Sequence, residues 1–302
     1  MKGILNEMAG MTAFVRVVQT GSFSAAAKSL GSTPSAASKS ISRLETHLGV
    51  RLFRRSTRNM SLTIEGESFY ARVLPLLQEI ESVADVVHGS DSIMGHLRVG
   101  LPGELGLHIL KPILMDFVLE YPAVTMEIYM SDRHADVLKE NLDVVFRVGG
   151  ATQVSLMSRT LAHLEMVLVA SPVLTKQFGA AESIPALLRM PFVRYSMDGR
   201  PYPIRFADGT EIVPNGKVDM DSGAAIREAA LIGVGAAHLI KRLVQDDIDR
   251  GNLVELVPPI KLQAMSLQAI HASGRSPPQR LQALTDFVGK LMRTTQEWDH
   301  HP

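Results

Sequence analysis

The chain of 302 residues contains no cysteine. That excludes disulfides, thiolate metal sites and a cysteine nucleophile, and it fits a reducing compartment. No run of 18 apolar residues is present to span a bilayer. The opening stretch MKGILNEMAGMTAF lacks the continuous apolar segment and small-residue cleavage site of a secretory leader, so the expected address is cytoplasmic, with no membrane partner. Neither sign of charge is in excess: 31 Lys and Arg balance 31 Asp and Glu, so the total says nothing for or against nucleic acid. Enzyme signatures are missing as well. There is no G-x-S-x-G nucleophile elbow, no G-x-x-x-x-G-K-[ST] phosphate loop and no H-E-x-x-H zinc helix. Gly233-Val234-Gly235 is a fragment of a dinucleotide fingerprint, but it follows a helical pattern rather than a strand, so close packing explains it better. Isolated histidines such as His108 and His163, and the terminal pair His300-His301, form no ligand set. The chain is therefore read as a non-enzyme, with no metal and no cofactor.

What is present is a folded composition, 46% apolar and 21% charged, in a chain long enough for two or more units. The charge is unevenly placed. From Lys28 to Arg58 the cations are Lys28, Lys39, Arg43, Arg51, Arg54, Arg55 and Arg58, against Glu45 alone, so one basic face can meet phosphates. Around it three helices are predicted. The first carries Phe14, Val15, Val17 and Val18 and stops at Gly21. The second is capped by Ser22 or Ser24 and built on Ala25-Ala26-Ala27. The third starts at Thr33-Pro34 and buries Ala37, Ile41, Leu44 and Leu48. Its other face carries Ser35, Ser38, Lys39, Ser42 and Arg43. Short polar groups let a helix approach base edges, and cations reach phosphates or guanine. Short helix, tight turn and polar-faced helix make a helix-turn-helix, here about Phe23 to Ser42. Two extended pieces around Ser56-Thr57-Arg58 make a basic wing.

These residues, GSFSAAAKSLGSTPSAASKSISRLETHLGVRLFRRSTRNMSLTIEG, resemble the N-terminal domain of LysR-type transcriptional regulators, in the branch with Pro-Ser-Ala opening the recognition helix. The resemblance implies DNA contacts from Thr33, Pro34, Ser35, Ser38 and Lys39, with Arg58 in the minor groove. Arg43, Arg54 and Arg55 are added from charge alone. Many members carry glutamine at the position of Pro34, so the base-readout scheme is left open.

A helix is expected from Thr63 to about Val87. Its apolar positions Phe69, Val73, Leu76, Ile80, Val83 and Val87 step by four and three, a heptad seam that predicts helix pairing, with Pro75 bending it. The resemblance implies a dimer through this helix, with the homotetramer as the other state. Beyond a hinge at His88 to Gly95, strands alternate with helices: 96–101, 103–121, 124–130, 143–148, 166–170, 191–195, 217–220 and 222–232, with a last helix from near Pro277. That rhythm is α/β. His96-Leu97-Arg98-Val99-Gly100, Glu120-Tyr121-Pro122, Asp143 to Gly149 and Val169-Ala170-Ser171-Pro172 resemble landmarks of the same family's effector domain, which is similar to periplasmic binding proteins.

The expected organisation is an all-α winged helix-turn-helix at 8–65, a linker helix at 66–89, and an α/β effector domain at 94–302. The resemblance divides that domain into lobe I at 94–162 and 270–302 and lobe II at 163–269. Ligands of such folds sit beyond strand ends, beside helix N-termini. Pro102, Gly103, Glu104, Arg147, Gly149, Tyr195, Ser196, Ser222, Gly223 and His238 are the candidate effector residues, with an organic anion as one candidate effector. Glu104 opposes an anion unless it turns outward, and Ser222 is the better fit as a helix cap. The function expected is regulation of transcription at an inverted-repeat operator in double-stranded DNA, with RNA polymerase as partner and a small-molecule effector. A constitutive architectural DNA-binding protein and an enzyme with an appended DNA-binding domain are the alternatives.

Overall fold

A computed structural model describes residues 3–54, 60–87, 93–132, 137, 140–149, 156–179, 183–197, 199–274 and 277–298. The N-terminal unit begins with a 3-10 turn, Ile4–Glu7, and three helices: α1 (Met8–Thr20), α2 (Phe23–Ser29) and α3 (Pro34–Leu48). Each boundary has a local cause. Gly21 and Gly49 end α1 and α3 in the left-handed region, at φ 65° and 73°. Between the two candidate caps, Ser22 is the one used, its hydroxyl accepting from the Ala25 N–H. Thr33 does the same for Ala36. α1 crosses α3 closely because Gly10 has no side chain: a Cβ there would stand 2.8 Å from the Ser40 carbonyl oxygen. Phe14, fully buried, centres this core against Phe53 and Phe69, with ring centroids 5.3 and 5.5 Å away. Two short strands, β1 (Phe53–Arg54) and β2 (Ser61–Leu62), pair antiparallel as the wing, and α4 (Ile64–Val87) follows.

The C-terminal unit contains β3 (Gly95–Leu101), α5 (Gly103–Pro112), a π turn at Ile113–Phe117 running into α6 (Val118–Glu120), β4 (Val124–Met130), β5 (Val144–Val148) and β6 (Met157–Leu164). The single helix expected over 103–121 is therefore interrupted at Pro112, whose missing N–H breaks the hydrogen-bond ladder. Then come β7 (Met166–Ala170), α7 (Pro172–Phe178), α8 (Ile184–Arg189), β8 (Phe192–Met197), β9 (Arg200–Pro201), β10 (Ile204–Arg205), β11 (Glu211–Ile212) and β12 (Gly216–Met220). The chain ends with α9 (Gly223–Leu231), β13 (Ala237–Ile240), α10 (Lys241–Asp249), β14 (Val254–Leu256), β15 (Met265–His271) and α11 (Gln279–Trp298).

Two lobes result. The first is a five-stranded sheet, β4-β3-β5-β15-β6, in which β3, β4, β5 and β6 run in one direction and β15, between β5 and β6, runs antiparallel to them. α5 and α11 cover it through Leu105, Ile109, Leu281, Leu284 and Val288. The second holds β13-β7-β14 and β12-β8-β9, with separate buried clusters around Leu168 and Val169. The chain crosses between lobes after β6 and again before β15. Gly233-Val234-Gly235 proves to be a packing element: Gly233 turns at φ 83°, and a Cβ on Gly235 would stand 2.8 Å from the Pro191 carbonyl oxygen.

Candidate functional site

The polar face of α3 is open. Thr33, Pro34, Ser35, Ser38 and Lys39 are exposed along the first turns, while Ala37, Ile41 and Leu44 are buried behind them. The Thr33 hydroxyl oxygen is used in the cap, which leaves its O–H able to donate outward. Arg54, at the end of β1, is exposed and borders a groove with Ser38 and Ser42, so the structure joins it to the same surface. Arg43 is more committed than its charge alone implied. Its Nε donates to the Glu7 carboxylate at 2.8 Å, on the side of α3 facing the N-terminal turn. Arg55 and Arg58 lie outside the described residues.

The residue that sequence reasoning passed over is Glu45. The one acid among the cations of this segment, it is 8% exposed and accepts from the N–H groups of Leu52 (2.8 Å) and Phe53 (3.4 Å) and from Arg51 Nη1 (2.8 Å). It thus ties the recognition helix to the root of the wing. Thr63 adds a second tie. Its hydroxyl donates to the Arg51 carbonyl and accepts from the Gly66 N–H, and Gly66 packs directly on the Leu52 carbonyl, where no side chain fits.

The heptad seam divides. Val73 is buried and Phe69 packs beside it in the winged core, so the first part of the seam is satisfied within the chain. Leu76 and Ile80 are 57% and 51% exposed. With Ile4, Leu5, Met8 and Leu77 they line an apolar groove. Val83 and Val87 lie on the same helix, and their side chains are outside the described residues.

Between the lobes is a cavity of about 150 Å³. Of the candidate effector residues, Pro102, Glu104, Arg147, Tyr195, Gly223 and His238 line it. Ser196 does not, because successive strand residues face opposite ways: Tyr195 and Met197 reach the cavity and Ser196 pairs with Pro201 in β9. Gly149 is a turn residue at φ 64°, closed off by Met265. Ser222 caps α9, accepting from the Ala225 N–H at 3.5 Å. Gly103 is also corrected. Its N–H, expected to meet a ligand anion, already donates to Asp132 Oδ1 at 2.6 Å. Tyr129, Asp132, Glu140, Tyr202, Met166 and Met265 complete much of the wall and were not identified from sequence. Asp132 lies two residues beyond the end of β4, a strand end of the kind at which ligands of such folds gather.

The electrostatics of the wall are set by burial. Desolvation raises the Glu104 carboxyl above its ordinary value; nearby Arg227 opposes this, and Asp132, Asp247 and Glu228 add to it. A Cβ on Gly223 would lie 3.4 Å from Glu104 Oε2, so this carboxylate sits across the head of α9. Tyr195 donates its hydroxyl to the Asp132 carbonyl at 3.0 Å, and burial pushes its pKa up to about 12. Burial lowers the pKa of His238 to about 4, which leaves its imidazole neutral at pH 7.

That depression fixes a pH dependence. Between about pH 4 and 6.5 the unfolded chain binds a proton at His238 that the folded chain refuses. Stability is therefore complete above 6.5 and falls as the pH drops through this window, by about 3 kcal/mol at its lower end. Denaturant midpoints measured across that range should fall less steeply in His238→Gln than in wild type. The comparison separates His238 from Glu104 and Asp143, whose burial-raised pKa values act in the opposite direction.

Two family models match the chain. The bacterial regulatory helix-turn-helix protein model of the lysR family covers residues 8–67, and the LysR substrate binding domain model covers 90–293. The chain is similar to the HTH-type transcriptional activator AaeR of Escherichia coli K12, 29% identical over 296 residues, covering 94% of this chain and 95% of that one. It is similar to the solved structure of CrgA, a LysR-type transcriptional regulator from Neisseria meningitidis, at 27% identity and TM-score 0.58, covering 94% and 98% of the two chains. A full-length OxyR variant from Pseudomonas aeruginosa shares the fold at TM-score 0.72 and 16% identity, over 93% of each chain. An open recognition helix, a wing anchored to it and a two-lobed domain enclosing a cavity are the parts of a ligand-responsive DNA-binding protein, and the chain belongs to the family of LysR-type transcriptional regulators, which are not enzymes.

Proposed function

We propose that two copies of this regulator, paired through the exposed half of α4, place their α3 helices in successive major grooves of an inverted-repeat operator. A small molecule in the cleft then alters their spacing and the recruitment of RNA polymerase, in the cytoplasm. The observation carrying the DNA reading is the open polar face of α3, where small side chains at Ser35 and Ser38 flank Lys39 while the opposite face is buried. The unit boundaries that go with it are 8–65, 66–89 and 94–302. A route from cleft to linker is also supported. The Tyr70 hydroxyl of α4 lies 3.3 Å from Asn141 Oδ1, and Asn141, at φ 53°, sits between the cavity-lining residues Glu140 and Leu142. Lobe closure that moves this loop acts on α4 directly.

The test is footprinting of the pure protein on DNA flanking its own coding region, against a salt-matched random fragment. A protected inverted repeat is the expected result, and equal protection of both fragments would remove the site-specific reading. On the protected operator, Lys39→Ala should weaken binding and lower the slope of log affinity against log salt by ~0.9, the signature of one lost phosphate contact. An unchanged slope with reduced affinity would move Lys39 from phosphate to base contact.

A further inference from the structure

We propose that the inter-lobe cleft takes a compact, largely apolar molecule bearing a protonated amine, and discriminates against the matching carboxylate. This rests on the reading above that the cleft is the effector site. Size comes first. The cavity of about 150 Å³ equals, to order of magnitude, the space in which an apolar protein cavity of ~150 Å³ holds one benzene ring. Leu101, Leu105, Val145, Phe146, Leu239 and Leu243 supply much of its wall. A single ring with one short substituent fits that space.

The charge pattern selects the substituent. Clefts of open α/β folds usually hold anions on helix N-termini, where unpaired N–H groups and the helix dipole converge. Here two such positions, the heads of α5 and α9, are occupied by the protein's own carboxylates. Asp132 accepts the Gly103 N–H at the head of α5, at 2.6 Å, and Glu104 lies across the head of α9 against Gly223. A carboxylate entering at either head must displace the resident one or sit beside it in a desolvated site, where like charges repel strongly. Among the described residues, Glu140 adds a third carboxylate to the lining, against one guanidinium, that of Arg147.

A second observation points to a hydrogen-bonding ligand. His238, on β13, is part of this cavity's lining, and its Nε2 is buried without a hydrogen-bond partner among the described residues. Such a group costs free energy until something pairs with it. The Tyr195 hydroxyl proton is already given to the Asp132 carbonyl, which leaves its oxygen as an acceptor. Glu104, Asp132 and Tyr195 thus present acceptors, and a neutral imidazole protonated at Nδ1 carries one more at Nε2. A –NH₃⁺ group, with three donors and no acceptor, matches that set; a carboxylate, with acceptors alone, does not. Glu104 is the principal partner, since burial leaves its charge undersolvated.

Calorimetric titration of the full chain with benzylamine, benzyl alcohol and benzoate tests this, because the three share one ring and differ in charge. Benzylamine should bind at least ~10-fold more tightly than benzyl alcohol, since a charge-assisted hydrogen bond is roughly twice as strong as a neutral one, with benzoate weakest. Glu104→Gln should lower benzylamine affinity by ~10-fold or more, leave benzyl alcohol within about a factor of two, and raise benzoate. Benzoate equal to or tighter than benzylamine overturns the proposal, as does benzylamine affinity unchanged in Glu104→Gln. Benzyl alcohol bound without a preference for the amine overturns the charge selection while leaving the cleft as a binding site. No binding by any of the three at millimolar concentration overturns the cleft reading along with the proposal.

Discussion

Glu45→Ala should cost the winged unit about 4 kcal/mol and abolish operator binding at ordinary temperatures. The figure follows from what Glu45 satisfies. Its Oε1 accepts the N–H groups of Leu52 and Phe53, and its Oε2 holds Arg51. Leu52 is fully buried and Phe53 nearly so, so removing the carboxylate leaves two backbone donors unpaired in the core, at about 1–3 kcal/mol each. Arg51 is 60% exposed in its side chain and regains water, so its part of the loss is small. A typical domain has only about 5–15 kcal/mol in all. Circular dichroism melts of the isolated change in the full chain should show the helical N-terminal transition moving down while the α/β transition stays. Glu45→Gln separates the hydrogen bonds from the charge: its amide oxygen can still accept from Leu52, and it should recover more than half of the loss. Equal destabilisation by Ala and Gln would assign the effect to the ion pair with Arg51 instead.

Glu45 also shows where sequence reading reaches its limit. The start of α3 was legible because Thr33-Pro34 carries its capping chemistry within four residues. Local signals of that kind placed α1 to α4 and the parallel strands β3, β4 and β5. What local pattern does not contain is the identity of the partner. The seam on α4 records apolar spacing, and spacing is the same whether Val73 meets its own chain's Phe14 core or Leu76 meets another molecule. The same gap hid the cleft chemistry. Gly103 and Glu104 were found as a strand end beside a helix start, but Asp132, which takes the Gly103 N–H, lies 29 residues away in sequence. The strand β15 pairs with β5 and β6 from more than 100 residues on, and its inclusion in the first sheet depends on the chain returning from the second lobe. Ser196 is a different case, because two-residue alternation beside Tyr195 was present in the sequence and excludes it from the wall.

The unsatisfied half of that seam leads to the prediction with the widest range. Replacing Leu76 and Ile80 together by Glu should convert the protein to monomers and lower operator affinity by ~10²–10⁴, while an isolated half-site is bound nearly as before. Both side chains are more than half exposed, so the folded monomer loses little when they become polar. They are flanked by Leu5 at 72% exposure and Ile4 at 38%, which makes the groove between α4 and the N-terminal turn an apolar surface that water would otherwise cover. Pairing two such surfaces buries it, and the placement of two α3 helices on one DNA face makes the second half-site contact intramolecular, which is the source of the large factor. Charge at both positions forces two carboxylates into that contact twice over, once from each copy, because a two-fold interface repeats every change. Sedimentation velocity reads the oligomer, and footprints on whole and half operators read the affinity. A monomer with undiminished operator affinity would show that one recognition helix suffices. A dimer that persists would move the pairing surface elsewhere on the chain and leave the apolar groove to a different occupant.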